Sequence, residues 1–205
     1  MGKHAGVGFT GFVSDARQLV NRAREEASNY KSTYGSHIPP SVLADRMAAY
    51  VHYFTLHGAL RPFGANVIIG GYDPDLKKHE LYMVEPSGVS YQYYGCAAGK
   101  GKQACKTEME KLPLNYTNGN SDGITVNEAV KHLAKMVLML YEDKEESKKE
   151  KLELEFSWIC EESKFEHVSV PAEVVAEAKT LAEEEIAAAA EEEDDSEDDD
   201  EEMEG

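Results

Sequence analysis

The sequence predicts an α+β fold in which antiparallel sheet packs under layers of helix. Three observations carry that prediction. Apolar residues recur at helical spacing in five segments, near 14–34, 41–60, 102–112, 125–141 and 172–190. Short or alternating apolar runs mark strands near 4–9, 65–72, 81–84, 89–96 and 152–160. The connections between strands are mostly hairpins, which favours antiparallel pairing over a doubly wound parallel sheet.

Taken in order, residues 4–9 form a short apolar strand ending near Gly11, and Ser14 or Asp15 then caps a long amphipathic helix to about Tyr34. Its core face is Ala16, Leu19, Val20, Ala23, Ala27 and Tyr30, and Gly35 ends it. After Pro39 and Pro40, Ser41 caps a second helix with Leu43, Met47, Tyr50, Val51 and Phe54 on one face, finishing before Arg61 and Pro62. The run from Ala65 to Tyr72 is too short for a helix and reads as a strand buried on both faces. Leu81 to Val84 is the next strand, and Glu85-Pro86-Ser87-Gly88 fits a type I turn, with proline preset at its second position and glycine at its fourth. Val89 to Cys96 completes the hairpin. The small residues Ala97, Ala98, Gly99 and Gly101 then let the chain bend into a helix whose apolar positions are Ala104, Cys105, Met109 and Leu112.

Beyond a loop at 113–124, Thr125 and Glu128 have capping-box spacing and open a helix through Tyr141, with Val126, Val130, Leu133, Val137 and Leu140 inward. Leu152, Leu154, Phe156, Trp158 and Cys160 alternate with Glu153, Glu155 and Ser157, the pattern of a strand with one buried face. Pro171 opens a last helix, Ala172 to about Ala190, followed by an acidic run in which charge repulsion and the scarcity of apolar residues oppose packing. The expected organisation is one domain over 1–190 and a disordered acidic tail over 191–205.

Charge narrows the function classes. The net charge of −18 is concentrated: residues 183–205 hold 15 of the 39 acidic residues and no basic one, which leaves a body of 24 acids and 21 bases. A basic surface for nucleic acid is therefore not expected. Three cysteines without a CxxC pair point to a reducing compartment, and no apolar run approaches the roughly 20 residues needed to span a bilayer. The sequon Asn115-Tyr116-Thr117 is expected to go unused, and Gly6 stands where a myristoylation signal needs Ser or Thr.

No sequence motif for chemistry is complete. A Walker loop fails because Gly95 and Gly99 enclose too few residues and Gly101 follows Lys100. The stretch from Gly99 to Ala104 matches the dinucleotide glycine pattern, but the helix after it runs into Pro113 instead of a second strand with a ribose-binding acid, so the glycines read as packing devices. His52 and His57 are spaced by five and miss a common helix face, and His79-Glu80 lacks the second histidine of a zincin motif, with Met83 in its place. Cys96 and Cys105 occupy apolar positions, where buried thiols are ordinarily inert. No catalytic, cofactor or metal residue is expected.

Several long blocks, GFVSDARQLVNRAREEASNY, RPFGANVIIGGYD, LYMVEPSGVSYQYYGCAAGKGKQACKTEMEKL and LELEFSWICEESK, resemble in the same order the alpha-type subunits of the eukaryotic 20S proteasome. The resemblance covers nearly the whole chain up to the tail. It implies an N-terminal-nucleophile-hydrolase-like αββα sandwich, with antiparallel sheets between helix layers, serving as one subunit of a seven-membered alpha ring. Family alpha subunits are not the peptidases of the particle, and Thr10, inside a strand-to-helix junction, does not imitate the exposed N-terminal threonine of the catalytic beta subunits.

The implied function is that of a noncatalytic structural subunit in ubiquitin-dependent and ubiquitin-independent degradation. The implied partners are other alpha subunits, beta-ring subunits and regulatory particles, in cytoplasm and nucleus. An alternative is an acidic-tail binding protein acting outside the particle. Measured against the family, the sequence begins after the gate-forming tail, the first helix, the leading strands and the activator-pocket lysine, so gating and docking are assigned to no residue. Without those strands the run 65–72 is expected to present an exposed edge. In the tail, Ser196 precedes Glu197, Asp198 and Asp199 and is a candidate for an acid-directed kinase.

Overall fold

The computed structural model describes residues 3–114, 123–142 and 152–201, with side chains described through residue 188 except at Glu142. It divides into two compact units, Met1–Lys106 with Ser157–Val168, and Thr107–Phe156 with Ser169–Gly205.

In the first unit, β1 (Ala5–Gly11), β2 (Ala65–Asp73), β3 (Lys78–Val84) and β4 (Ser90–Gln92) form an antiparallel sheet in that spatial order. Two helices, α1 (Val13–Tyr34) and α2 (Pro40–Leu56), cover one face. Period-2 burial along β2 explains the packing: Ala65, Val67, Ile69, Gly71 and Asp73 are buried while the intervening residues are only half-buried. The expectation that this strand is buried on both faces is corrected by that alternation. Leu19, Leu43 and Met47 are fully buried with Val67, Ile69 and Val84, and burial of each such side chain contributes on the order of 2 kcal/mol.

Local signals set most boundaries. Gly35 adopts φ 74° and donates its N–H to the Lys31 carbonyl at 2.9 Å, the left-handed stop expected of glycine after α1. Pro40 occupies the first turn of α2 with Pro39 as its cap, two positions earlier than the expected cap Ser41. The Glu85-to-Gly88 turn closes through the Gly88 N–H to the Glu85 carbonyl at 2.9 Å. At the start of α1 the expectation is wrong: the cap position is Phe12, with no side-chain cap, because the Asp15 carboxylate is engaged elsewhere.

A buried glutamate couples the two helices. Glu26 of α1 accepts from Arg22 on its own helix and from Arg46 Nη1 of α2 at 3.0 Å. The two guanidinium groups lie over aromatic rings, Arg22 over Tyr50 at 4.9 Å and Arg46 over Tyr30 at 5.4 Å. The pairing is therefore specific as well as apolar.

A short helix, α3 (Lys102–Glu110), crosses the boundary between the units. In the second unit α4 (Val126–Glu142) pairs with α5 (Ala172–Glu201). The capping box forms as the spacing requires: the Thr125 N–H donates to Glu128 at 2.8 Å and the Glu128 N–H to Thr125 Oγ1 at 3.3 Å. The inward face of α4 differs from expectation. Val126, Leu133 and Val137 are exposed, and Val130, Ala134, Met136 and Leu138 are buried. Both rows are apolar, so periodicity allowed either; α5, with buried Ala178 and Ala182, selects the second.

The strand expected over 152–160 is reduced to β5 (Ser157–Trp158), paired with β6 (Val168–Ser169). Leu152, Leu154 and Phe156 keep the alternation, half-buried between exposed Glu153 and Glu155, but a ladder needs a neighbouring edge and β6 is only two residues long. At the other end, α5 continues past the expected stop near Ala190 to Glu201, since the intervening sequence contains no glycine or proline to break it. Among the described residues no helix is long and apolar enough to cross a membrane.

Candidate functional site

The corner between β1 and α1 is held by a polar clasp. Asp15, in the first turn of α1, is 4% exposed, and its two carboxylate oxygens accept from Arg61 Nη1 and Nη2, each at 2.7 Å. The Gly64 N–H donates to the same carboxylate at 2.8 Å, and the Phe12 N–H donates to the Gly64 carbonyl at 2.9 Å. The forked bonds from Arg61, then the Gly64 N–H, hold the Asp15 carboxyl well below the usual range, despite a desolvation cost that opposes them. Gly11 turns this corner at φ 121°, where a Cβ would stand 2.3 Å from the Gly64 carbonyl oxygen. The RPFG motif is thus a structural anchor that joins α1 to the entry of β2.

The sheet face away from the helices carries a cavity of about 490 Å³. Its floor includes Gly6, Gly8, Ile68 and Gly70, and the returning segment contributes Ser157, Ile159 and His167. The His167 ring lies over Gly6, where a Cβ would meet Cδ2 at 2.2 Å, and its Nε2 is 2.9 Å from Ser157 Oγ. The His167 N–H donates to the Lys3 carbonyl at 2.5 Å, while Lys3 Nζ pairs with Glu166 at 3.2 Å. Phe165 stacks on Tyr72 at 4.1 Å. The lining is apolar apart from Thr10, Ser157 and His167, which suits packing of side chains better than charge-developing chemistry.

The residues weighed in the sequence are not brought together. Thr10 lies within β1, so its nitrogen is an ordinary peptide N–H. The Nδ1 atoms of His52 and His57 face backbone carbonyls, Ser87 at 3.2 Å and Tyr53 at 2.9 Å. His79 and Glu80 are successive residues of β3 and point to opposite faces, so they cannot share a metal ion. Among the described residues no cluster of His, Cys, Asp or Glu could hold one. Burial pushes the Cys96 thiol up to about 11 and raises that of Cys105, leaving both protonated near neutrality.

At the glycine loop, the Lys102 N–H turns back to the Gly99 carbonyl at 3.3 Å, and a Cβ on Gly99, at φ 120°, would approach Thr10 Oγ1 to 3.4 Å. The loop approaches β1 closely, as a packing role requires. Ser196 lies where side chains fall outside the described residues, and Asn115-Tyr116-Thr117 lies outside them altogether.

Sequence reasoning missed Asp15, Arg61 and Glu26. The available signal was an arginine stranded between Leu60 and Pro62 ahead of an apolar strand, but nothing local names its acidic partner.

The architecture agrees with the outcome of comparison with known proteins. The family model described as "Proteasome subunit" matches residues 1–156. The chain belongs to the proteasome subunit family. Among curated proteins in this family, the chain is 50% identical over 180 residues to "Proteasome subunit alpha type-3" of Arabidopsis thaliana, covering 88% of this chain and 68% of that one. It is 42% identical over 181 residues to the protein of the same name from Dictyostelium discoideum, with 88% and 68% covered. Against "Probable proteasome subunit alpha type-7" of Saccharomyces cerevisiae the identity is 40% over 182 residues, with 88% and 60% covered. Family membership accords with the antiparallel sheet and helix pair of the first unit, and with an α+β fold of the N-terminal-nucleophile-hydrolase type.

Proposed function

We propose that this chain is a noncatalytic structural subunit of the alpha ring of the 20S proteasome core, of the alpha type-3 kind that takes the seventh alpha position. The observation that carries the reading is the identity of half the aligned residues, over 180 positions, with relatives bearing that name. The buried clasp and the glycine contacts accord with it, because they serve to hold a rigid scaffold and present no activated nucleophile. Its partners are the other alpha subunits, the beta ring and regulatory particles. Through them it contributes to ubiquitin-dependent and ubiquitin-independent protein degradation, in cytoplasm and nucleus. Affinity purification of the tagged full chain from its own cells is expected to recover alpha and beta subunits in one particle of core size. Recovery of the chain without them would overturn the reading.

Ser196 is assigned as a phosphorylation site for an acid-directed kinase, on the strength of the acidic residues at 197–199. A phosphate there adds negative charge that strengthens contact with basic regulator surfaces. Phosphopeptide mapping of the purified particle is expected to find Ser196 modified in a substantial fraction of chains. A map that covers the tail and shows only unmodified serine would remove the assignment.

A further inference from the structure

The α1–α2 pair holds a polar groove of about 440 Å³, lined by these two helices alone. Arg17, Gln18, Asn21, Arg22 and Glu25 line it from α1, where spacings of three and four residues put them in one row, and Tyr50 borders it from α2. Arg22 is set in place before any ligand arrives. Its Nη2 donates to the buried Glu26, and its guanidinium lies over the Tyr50 ring at 4.9 Å. Among the described residues its Nη1 has only Glu25 Oε2, at 3.9 Å, an ion pair outside hydrogen-bond reach whose glutamate side chain is 65% exposed. Its Nε–H is buried without an acceptor among the described residues. Arg17, beside it in the row, makes no hydrogen bond or ion pair among the described residues. The Tyr50 hydroxyl accepts from Gln18 Nε2 at 3.1 Å and keeps its own proton to donate. Asp15 is buried and bonded to Arg61, so it neutralises neither arginine of the groove. Donors therefore outnumber acceptors here.

We propose that this groove receives the carboxylate of an aspartate or glutamate side chain from a neighbouring proteasome subunit, with Arg17 and Arg22 as its counter-ions and Tyr50 as a neutral donor. Such a partner presupposes the subunit role proposed above. Two observations select it. Guanidinium groups offer forked N–H pairs that match the two oxygens of a carboxylate, and Glu25, loosely held and largely exposed, can swing aside to admit one. The net charge of −18 repels nucleic acid and other free polyanions, whereas two arginines on an acidic molecule act only within a Debye length, roughly 8 Å. The occupant is therefore an acid delivered by a complementary protein surface.

The test is the amount of alpha and beta subunits recovered with tagged full chains from their own cells. Arg17→Glu sets an acid against the incoming one and is expected to lower that recovery at least about 10-fold. Asn21→Glu adds an acid one turn along without removing Arg17 and is expected to act in the same direction. Arg17→Lys keeps the charge without the fork and is expected to fall between Arg17→Glu and the wild type. Lys31→Glu makes the same change of charge in the last turn of α1, at an exposed position outside the groove, and is expected to assemble as the wild type does. All four positions are changed at exposed side chains, so the purified chains are expected to unfold within about 2 °C of the wild type. A wild type that assembles, together with Arg17→Glu and Asn21→Glu chains that assemble equally well, overturns the proposal alone. So does an equal loss in Lys31→Glu, which would trace the effect to net charge. A wild type that recovers no subunit overturns the subunit role, and this site with it.

Discussion

Replacing Asp15 with asparagine is expected to lower the thermal midpoint at pH 7 by roughly 5 to 10 °C, because it leaves Arg61 facing a neutral amide and removes one acceptor from a buried junction. The size is moderated by solvent, since the Arg61 side chain is 70% exposed although Asp15 is not. Arg61→Lys keeps the charge but cannot fork across both oxygens, and its midpoint is expected between those of the wild type and Asp15→Asn. The pH dependence has a definite sign. The carboxyl is held below its unfolded value, chiefly by the Arg61 hydrogen bonds, so its contribution is fully present above the unfolded carboxylate range and is lost as pH falls through and below it. The gap between wild type and Asp15→Asn in urea unfolding is therefore expected to narrow below about pH 4. Equal midpoints for the two proteins at pH 7 would show that the clasp contributes nothing.

Gly88→Ala is expected to destabilise the fold by about 3 kcal/mol, from left-handed backbone strain of about 1 kcal/mol plus displacement of a packed helix. Gly88 sits at φ 82°, and a Cβ there would meet His52 of α2 at 2.5 Å from Cβ, 2.6 Å from Cα and 2.7 Å from the backbone nitrogen. Backbone atoms in mid-helix have no rotamer by which to withdraw, so the turn or α2 must move. Gly58→Ala is the matched control: a Cβ there meets nothing within 4 Å, and its unfolding free energy is expected to stay within about 0.5 kcal/mol of wild type. Equal stability of the two variants in urea titration would show that the turn does not rest on α2.

Both predictions depend on features that were only half legible. The type I turn at Glu85 to Gly88 was readable because proline and glycine act on their own dihedral angles. That the same glycine also makes room for His52 was not, since His52 lies far from it along the chain. By sequence Asp15 is a candidate helix cap, the usual local use of an acid there. Its partner proved to be Arg61, 46 residues away. The face of α4 shows the same limit: with apolar residues on two adjacent rows, spacing could not choose between them, and the alanines of α5 did. The expectation of an exposed edge at 65–72 fails, because β1 and β3 pair with that run on its two sides.

By itself the sequence determined where the helices lie, the glycine stop after α1, the run of the central strand, the capping box at Thr125 and Glu128, and, through blocks shared with relatives, the family. These are local or collinear properties, each written within a few residues or in their order. Only the tertiary structure decided that Asp15 binds Arg61, that Glu26 joins α1 to α2, which row of α4 is buried and which strands flank the run 65–72. Those outcomes turn on contacts between segments far apart in the chain. Burial and hydrogen-bond pairing choose there among partners that spacing leaves equivalent.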